Sequence, residues 1–535
     1  MAVLQVSQLL ALATAQVNYL TTAQVAALTY LQMAGLSTAN LATMNTSQLA
    51  AFSTADIAAL TATQVANLTT ADLAAMGTSQ VANLSTAGIK ALTTTQIANV
   101  TTAQSANLTT AQVAALTSAQ IANLSTSDLA VMSTSQLAAF STADIAALTT
   151  TQVANLTTAD LAAIGTSQIA KLSTAGIAAL TTLQIVNLTT AQVAALTAKQ
   201  VANLTTAQSA NLTTAQVAAL TTAQIANVTT TDLAALDGAS QFAYLSTAQV
   251  TALTTTQVAN LTTDQSANLT TAQATALTTT QIAKVTTADL EAIGTSQIAN
   301  LSTAQVAALT TAQVANLTTA QSTNLATAQV AALTAKQVAN LTTAQSANLT
   351  TAQVAALTTA QIANVTTADL AVIGTSQIAN LSTAQVAALT TTQVANLTTA
   401  QSTNLTTAQV VALTAKQVAN LTTAQSANLT TAQVAALTTA QISNVTTADL
   451  AALDGASQFA YLSTANVAAL TTTQVANLTT DQSANLTTAQ AAALTTTQIA
   501  KVTTADLAAI GTSQIANLST AQVAALTTTQ VANLT

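Results

Sequence analysis

Hydroxyl and carboxylate side chains are the groups in this 535-residue chain that could do chemistry, because it contains no His, Cys or Arg. Without His there is no imidazole base to activate a hydroxyl and no imidazole ligand for a metal. Without Cys there is no disulfide, thiolate nucleophile or thiolate metal site. The 15 acids are spread along the chain rather than gathered in a distinctive pair. We therefore predict a protein that is not an enzyme, with no catalytic residue, cofactor or metal site.

Asp237 and Asp454 are the carboxylates in the best local setting for a cation, since each precedes a glycine in the segment Leu-Asp-Gly-Ala-Ser-Gln. A calcium-binding repeat protein would carry a Gly-rich and Asp-bearing nonapeptide, which is missing from this sequence. An ordinary Asp-Gly turn accounts for both positions. We expect turns at these aspartates and no calcium.

The sequence Asn-Leu-Thr, as at Asn211, Leu212 and Thr213, recurs throughout and matches the acceptor for N-glycosylation. The same residues are those expected where one short helix ends and the next begins, and we favour that interpretation. The lysines recur in two fixed places that we expect to face solvent: Lys199, Lys336 and Lys416 in one, and Lys171, Lys284 and Lys501 in the other.

An eight-residue repeat determines the elements that position all these side chains, and it runs from about Leu12 to Thr535. A clean copy reads Leu-Thr-Thr-Ala-Gln-Val-Ala-Ala over residues 212–219. We number its places from one to eight, starting at the Leu. A chain built from one short unit forms a regular array in which each unit contacts its neighbours.

The eight-residue spacing discriminates between three backbones. In one continuous helix, eight residues advance about 800°, so the first-place Leu would form no stripe. In a flat strand, the first and sixth places would face opposite sides. A short helix in each unit fits best, and we predict an all-α solenoid of short capped helices, one per octapeptide. A β-solenoid with corners at Asn-Leu-Thr is the alternative, because Thr favours strands.

Capping chemistry supports the short helix. Thr213 and Gln216 have the S/T-x-x-Q spacing of a capping box, in which each side chain bonds the other residue's backbone N–H. Leu212 before the cap and Val217 at the fourth helical position are spaced as a hydrophobic staple. Asn in the eighth place, as at Asn227, tolerates the left-handed conformation at a helix end, which we expect here.

Three substitutions recur at fixed places of the repeat. Asp replaces the fifth-place Gln, where its charge favours a helix start, as at Asp160, Asp289 and Asp369. Gly replaces the capping Thr at Gly77, Gly165, Gly294, Gly374 and Gly511. Ser replaces the sixth-place Val at Ser105, Ser209, Ser266, Ser322, Ser346, Ser402, Ser426 and Ser483. A small polar residue at a core place implies that these units turn it outward or pack more tightly.

The repeats also define the domain organisation. Residues 1–50 depart from the consensus, and we expect them to form an irregular N-terminal cap region. Residues 51–535 should form one continuous octapeptide solenoid. An internal duplication of 217 residues divides it at about 237–453 and 454–535. We also expect no secretory signal at the N-terminus, which lacks basic residues, and no cap at the C-terminus, where the sequence stops inside a regular unit.

Charge and hydropathy indicate which classes of partner the chain is expected to lack. A net charge of −8 over this length gives no electrostatic attraction to nucleic acid. Polar residues interrupt every apolar run well short of the roughly 20 residues that a membrane span needs. We hypothesise a structural protein, a self-associating subunit of an extracellular filament or surface stalk. The alternative is an adhesin-like module whose regular Thr rows bind an ordered surface such as ice or polysaccharide.

Two known families resemble parts of the chain. Residues 405–412, Leu-Thr-Thr-Ala-Gln-Val-Val-Ala, resemble the opening helix of the TAL-effector repeat, but the variable loop pair by which that family reads DNA is absent here. Tracts such as residues 212–222 resemble very large Ala/Thr-rich repeat proteins of Gram-negative bacteria, often surface-bound or secreted. This second resemblance covers nearly the whole chain and implies an extracellular or cell-surface location, without indicating an activity.

Overall fold

A computed structural model describes residues 5–534 of the protein, and the side chains of all of these except Leu10. Over this range the chain forms 64 α-helices of four to six residues, two 3-10 helices and no β-strand. The predicted solenoid of short helices, one per octapeptide, is confirmed. The alternative β-solenoid is wrong, because the capping boxes at most repeats stabilise a helical turn there.

The chain divides into two compact units, Met1–Ala276 and Leu277–Thr535. In the first unit the α-helices are Val6–Leu10, Thr14–Asn18, Thr22–Ala26, Tyr30–Gly35, Thr38–Ala42, Thr46–Ala50, Thr54–Ala59, Ala62–Ala66, Thr70–Ala75, Thr78–Ala82, Thr86–Ala91, Thr94–Ile97, Thr102–Asn107, Thr110–Ala115, Ser118–Ile121, Thr126–Val131, Thr134–Ala138, Thr142–Ala147, Thr150–Ala154, Thr158–Ala163, Thr166–Ile169, Thr174–Ala179, Thr182–Val186, Thr190–Ala195, Ala198–Val201, Thr206–Ala210, Thr214–Ala219, Thr222–Ile225, Thr230–Ala234, Thr247–Ala252, Thr255–Val258, Thr263–Ala267 and Thr271–Ala276. A 3-10 helix, Phe242–Tyr244, interrupts this series.

In the second unit the α-helices are Thr279–Ile282, Thr287–Ala292, Thr295–Ala299, Thr303–Ala308, Thr311–Ala315, Thr319–Thr323, Thr327–Ala332, Ala335–Val338, Thr343–Asn348, Thr351–Ala356, Thr359–Ile362, Thr367–Val372, Thr375–Ala379, Thr383–Ala388, Thr391–Ala395, Thr399–Thr403, Thr407–Ala412, Ala415–Val418, Thr423–Ala427, Thr431–Ala435, Thr439–Ile442, Thr447–Ala451, Thr464–Ala469, Thr472–Val475, Thr480–Ala484, Thr488–Ala493, Thr496–Ile499, Thr504–Ala509, Thr512–Ala516, Thr520–Ala524 and Thr528–Ala532. The second 3-10 helix is Phe459–Tyr461.

Most of the short helices begin at a capping box, and the consensus copy shows its geometry. Thr213 is extended, with φ −71° and ψ 157°, and its hydroxyl accepts the N–H of Gln216 at 3.2 Å. In return, Oε1 of Gln216 accepts the N–H of Thr213 at 2.8 Å. Leu220, at φ −58° and ψ 137°, ends the helix, so the first-place Leu closes one helix and precedes the cap of the next. The predicted capping box is confirmed.

The eighth-place Asn ends its helix without the left-handed conformation that we expected. No residue of the described chain has a positive φ, and Asn211 lies at φ −98° and ψ 0°. Its Nδ2 donates to the carbonyl of Ala207, four residues earlier, at 2.8 Å. The prediction was wrong because the side-chain amide itself satisfies a carbonyl of the last helical turn, so no left-handed residue is required.

Helices three repeats apart pack together within each unit. Ala62–Ala66 packs on Thr86–Ala91 in the first unit, and Thr480–Ala484 packs on Thr504–Ala509 in the second. The first- and sixth-place aliphatic side chains form the core, where Val217 is fully buried and Leu212 nearly so. Helices this short are unstable alone, so their stability comes from this stacking.

Candidate functional site

The fifth-place glutamine joins each turn of the solenoid to the turn before it. In Gln216 the Oε1 atom completes the capping box, while Nε2 donates to the carbonyls of Ile185 at 2.7 Å and Leu188 at 2.8 Å. Gln216 is 2 % exposed. The carbonyl of Leu188 accepts no backbone N–H in the described chain, so this amide supplies its hydrogen bond. One side chain therefore caps its own helix and also bonds the backbone of the preceding turn.

The same contact recurs along both units, and we name it the glutamine ladder. Its members include the bonds from Gln64 to Met33 and Leu36, from Gln353 to Ser322 and Leu325, and from Gln530 to Ile499 and Val502. The nearer acceptor lies three and a half repeats earlier, so each amide reaches the junction between two helices of the preceding turn. These amides are tolerated in the interior because their donor and acceptor atoms are both bonded.

Ten aspartates replace the ladder glutamine, and all ten are buried: Asp56, Asp72, Asp128, Asp144, Asp160, Asp232, Asp289, Asp369, Asp449 and Asp506. In the first five of these the carboxylate completes the capping box, whereas in the last five it accepts the hydroxyl of the cap threonine instead. Asp56, for example, accepts the N–H of Ser53 at 2.9 Å and its hydroxyl at 2.6 Å. A carboxylate cannot donate to the carbonyls of the preceding turn. At these ten positions the ladder lacks its donor.

The sixth-place serines are also buried, between 0 and 3 % exposed, so the expectation that some units turn this place outward is wrong. Six of them precede a buried aspartate at one fixed spacing: Ser105 and Asp128, Ser209 and Asp232, Ser266 and Asp289, Ser346 and Asp369, Ser426 and Asp449, and Ser483 and Asp506. The hydroxyl of Ser105 donates to Oδ1 of Asp128 at 3.1 Å. The buried hydroxyl of Ser105 therefore has a polar partner from the next turn.

The two serines outside this pattern find a different partner. At the same spacing, Ser322 and Ser402 precede a glutamine instead of an aspartate. Their hydroxyls donate to carbonyls of their own helices, those of Thr319 at 3.0 Å and Thr399 at 2.9 Å. An aspartate at this spacing therefore follows six of the eight serines, and the bond between the two side chains is seen for Ser105 and Asp128.

Asp237 and Asp454 form the expected turns. Oδ1 of Asp237 accepts the hydroxyl of Ser240 at 2.6 Å and its N–H at 2.7 Å, and Asp454 accepts the same bonds from Ser457. The serine hydroxyl, and then the serine N–H, lowers the pKa of each aspartate below its ordinary value. Across residues 5–534 no group of three or more His, Cys, Asp or Glu side chains is placed to hold a metal ion.

A family model, the ALTTAQ repeat, matches nine segments of the chain, which together cover more than half of it: residues 33–70, 65–102, 125–158, 156–190, 177–206, 282–319, 362–399, 456–488 and 499–535. The chain belongs to the ALTTAQ repeat family. No curated protein matches it. The six letters of the ALTTAQ repeat correspond to residues 219–224 in one copy, from the end of one helix to the ladder amide of the next.

The remaining candidate residues are distributed over the surface of the ALTTAQ repeats. All seven lysines are exposed, as expected. Asn211 of the Asn-Leu-Thr motif is exposed as well, with its amide bonded to Ala207. None of the helices in the described part of the chain is long and apolar enough to cross a membrane.

A surface concavity of about 560 Å³ brings several polar side chains together in the first unit. Lys90, Ser118, Ser141 and Asp144 contribute to its lining. The hydroxyls of Ser118 and Ser141 donate to Asp144 at 2.9 and 2.7 Å. Both hydroxyls are therefore used in bonding ALTTAQ turns and caps, which is a structural role.

Proposed function

We propose that the protein is a non-catalytic structural subunit of an extracellular filament or surface stalk that associates with copies of itself. The glutamine ladder carries this proposal. The ladder amide donates hydrogen bonds to main-chain carbonyls, and every repeat has such carbonyls. Any turn can therefore accept these hydrogen bonds from another turn. The resemblance to large surface and secreted repeat proteins supports the location. The low and scattered charge leaves little repulsion between copies.

The first turn supplies free donors for such association. Gln8, Gln16 and Gln24 occupy ladder positions and complete their capping boxes, at 2.8 to 2.9 Å. All three are exposed, whereas Gln32 and most later ladder glutamines are buried. Within the described residues their Nε2 atoms make no hydrogen bond. These three amides follow one another at the interval of the repeat, like the donors inside the solenoid.

The last described turn supplies the matching acceptors and an apolar surface. Val523 and Val531 are about half exposed, although their sixth-place equivalents elsewhere are buried. A cavity of about 300 Å³ is lined by Leu507, Ile510 and other apolar residues of this turn. Leu507 and Ile510 occupy the two places whose carbonyls accept a ladder amide elsewhere. The first turn of a second copy therefore matches this face in both hydrogen bonding and hydropathy.

Negative-stain electron microscopy of the purified 535-residue chain tests the proposal. We expect filaments of constant width, and we expect the triple variant Gln8→Glu, Gln16→Glu, Gln24→Glu to abolish them. Glutamate keeps the capping acceptor but removes the donor and directs a charge at carbonyl oxygens. The control is Thr14→Ala, Thr22→Ala, which changes non-capping places of the same helices. Isolated particles from the unchanged chain would refute self-association, and filaments from the triple variant would refute docking through the ladder.

The alternative function, binding to ice or crystalline polysaccharide through Thr rows, needs flat and evenly spaced Thr pairs, which a β-solenoid would supply better than helices. The described residues form short helices and no β-strand, which gives this alternative less support. No contact or cavity among residues 5–534 favours this alternative over the structural one.

A further inference from the structure

At the six serine–aspartate positions the core holds a carboxylate in place of the glutamine Nε2 that elsewhere donates to the preceding turn. Asp449 stands where a ladder glutamine would bond two carbonyls of the preceding turn, those of Val418 and Leu421. Its own oxygens already accept hydroxyls, from Thr446 at 2.5 Å and from Thr423 at 3.1 Å. Nothing in the ladder pattern replaces the two hydrogens that a glutamine Nε2 would bring. The carbonyl of Leu421 then accepts no backbone N–H within the described chain, whereas that of Val418 accepts the N–H of Leu421 at 3.1 Å.

A small cavity lies at this point in the second unit. Its volume is about 10 Å³, close to that of one water-sized sphere. Val418, Leu421, Ser426 and Asp449 all line it, and the rest of its wall is apolar: Leu429, Leu437, Ile442, Val445 and Leu453. The cavity is therefore the space left when the long glutamine is replaced by the shorter aspartate and the valine by serine.

Ser483 gives an independent sign that something is missing from such a pocket. Its hydroxyl oxygen is buried, the residue is 1 % exposed, and the oxygen has no hydrogen-bond partner among the described residues. Asp506 follows it at the spacing by which Asp128 follows Ser105 in the first unit, where the two side chains are bonded. A buried hydroxyl without a partner is unfavourable, so an unpaired one indicates an absent ligand or water.

The chemistry of the pocket selects the ligand. A carboxylate, a hydroxyl and two carbonyls present oxygen lone pairs, whereas a water molecule has only two hydrogens to share among them. The buried carboxylate also lacks a cationic neighbour, since all seven lysines are exposed. Calcium takes about six to eight oxygens and more negative charge than one aspartate supplies.

We propose that the serine–aspartate pockets within each unit bind small monovalent cations of the size of sodium, one ion per pocket. The ion replaces the missing glutamine donor, because it accepts electron density from the two carbonyls while neutralising the carboxylate. It thereby restores the bond between turns at positions where the ladder is interrupted. This proposal does not depend on whether the chain forms filaments.

Thermal unfolding of the full chain, followed by circular dichroism in sodium chloride and in tetramethylammonium chloride of equal ionic strength, tests the proposal. Tetramethylammonium is too large for the cavity. We expect the unfolding midpoint to be higher in sodium by about 2 °C or more and to level off as the pockets fill. Sodium-23 resonance should also broaden on addition of the protein.

Two sets of variants locate the effect. Converting the six pairs to the consensus, with each Ser→Val and each Asp→Gln, should abolish both the sodium dependence and the broadening. The matched control is Asp56→Gln, Asp72→Gln, Asp144→Gln, Asp160→Gln, whose aspartates have an apolar residue where the six pairs have serine and should leave the sodium response intact. Equal midpoints in the two salts, with no broadening by the unchanged protein, would overturn the proposal and leave water as the occupant. The sodium-23 measurement on the unchanged chain decides this even if the variant with six converted pairs does not fold.

Discussion

The octapeptide over 212–219 and the nine-residue unit that begins at Leu236 both bring a buried glutamine to the preceding turn. In the octapeptide, Gln216 accepts an N–H from three residues earlier and reaches a carbonyl 28 residues back. In the longer unit, Gln241 accepts the N–H of Asp237, four residues earlier, and reaches the carbonyl of Leu212, 29 residues back. The corner absorbs the extra residue, and the contact between turns is kept.

The longer unit shifts the register for one turn only. Gln249, which follows it, bonds carbonyls 29 and 32 residues earlier, while Gln273 returns to 28 and 31. The extra residue replaces the α-helix by a 3-10 helix, in which Phe242 is fully buried and fills the core. The comparison teaches that the position of the amide determines the register, whereas the number of residues in a corner can vary.

Removing the glutamine amide should have the largest effect on stability, and the effect should be similar in the octapeptide and in the nine-residue repeat. We expect Gln216→Ala and Gln241→Ala each to lower local stability by roughly 2–4 kcal/mol, because the buried carbonyl of Leu188 or Leu212 loses its donor along with half of the cap. Native-state hydrogen exchange of the adjoining helices measures this. Thr213→Ala removes only the cap and should cost about 1 kcal/mol. If Gln241→Ala lowered local stability much less than Gln216→Ala, the amide would not have the same role in the nine-residue repeat and in the octapeptide.

Crowding at the longer corner should give the next largest effect. A Cβ atom on Gly238 would lie 2.7 Å from the carbonyl oxygen of Asp264, which is backbone and cannot easily move. We expect Gly238→Ala to destabilise by about 1–3 kcal/mol. Gly77 at an ordinary corner has only the tip of Gln80 within 3.6 Å, so Gly77→Ala should change stability by less than about 0.5 kcal/mol. Thermal unfolding of the two variants side by side checks the difference, and equal effects would contradict it.

Acid should produce the smallest effect, and only at the longer corner. Hydrogen bonds from Ser240 lower the pKa of Asp237 in the folded chain, so the folded state binds its proton less readily than the unfolded state. This contribution is complete above the ordinary aspartate pKa and is lost as the pH falls through the lowered value. The corner over 212–219 has no carboxylate and should not respond.

Local hydrogen exchange between about pH 5 and about pH 2 measures this acid response. The variant Ser240→Ala should move the pKa of Asp237 back toward its ordinary value and weaken the response. An equal acid response from the octapeptide corner would show that the aspartate is not its source.

Much of the local structure could be predicted from the sequence, because a capping box joins residues only three apart. Thr213 and Gln216 were assigned to it from spacing alone. The second role of Gln216 could not be predicted, since its acceptors are backbone carbonyls whose proximity depends on the number of repeats in a turn. The constant spacing between serine and aspartate is visible in the sequence. The structural meaning of this spacing could not be predicted, because the sequence does not show that the sixth place of one turn meets the fifth place of the next turn in the core.

The ladder amide bonds main-chain atoms and no particular side chain, and this has a consequence for how the gene can change. Recombination or replication slippage that adds or removes whole repeats yields a chain in which each amide again meets a carbonyl. Selection against such events is therefore weak at the level of folding. Related genes are expected to encode versions with different numbers of repeats, so the number of repeats can change by inheritance without a new sequence.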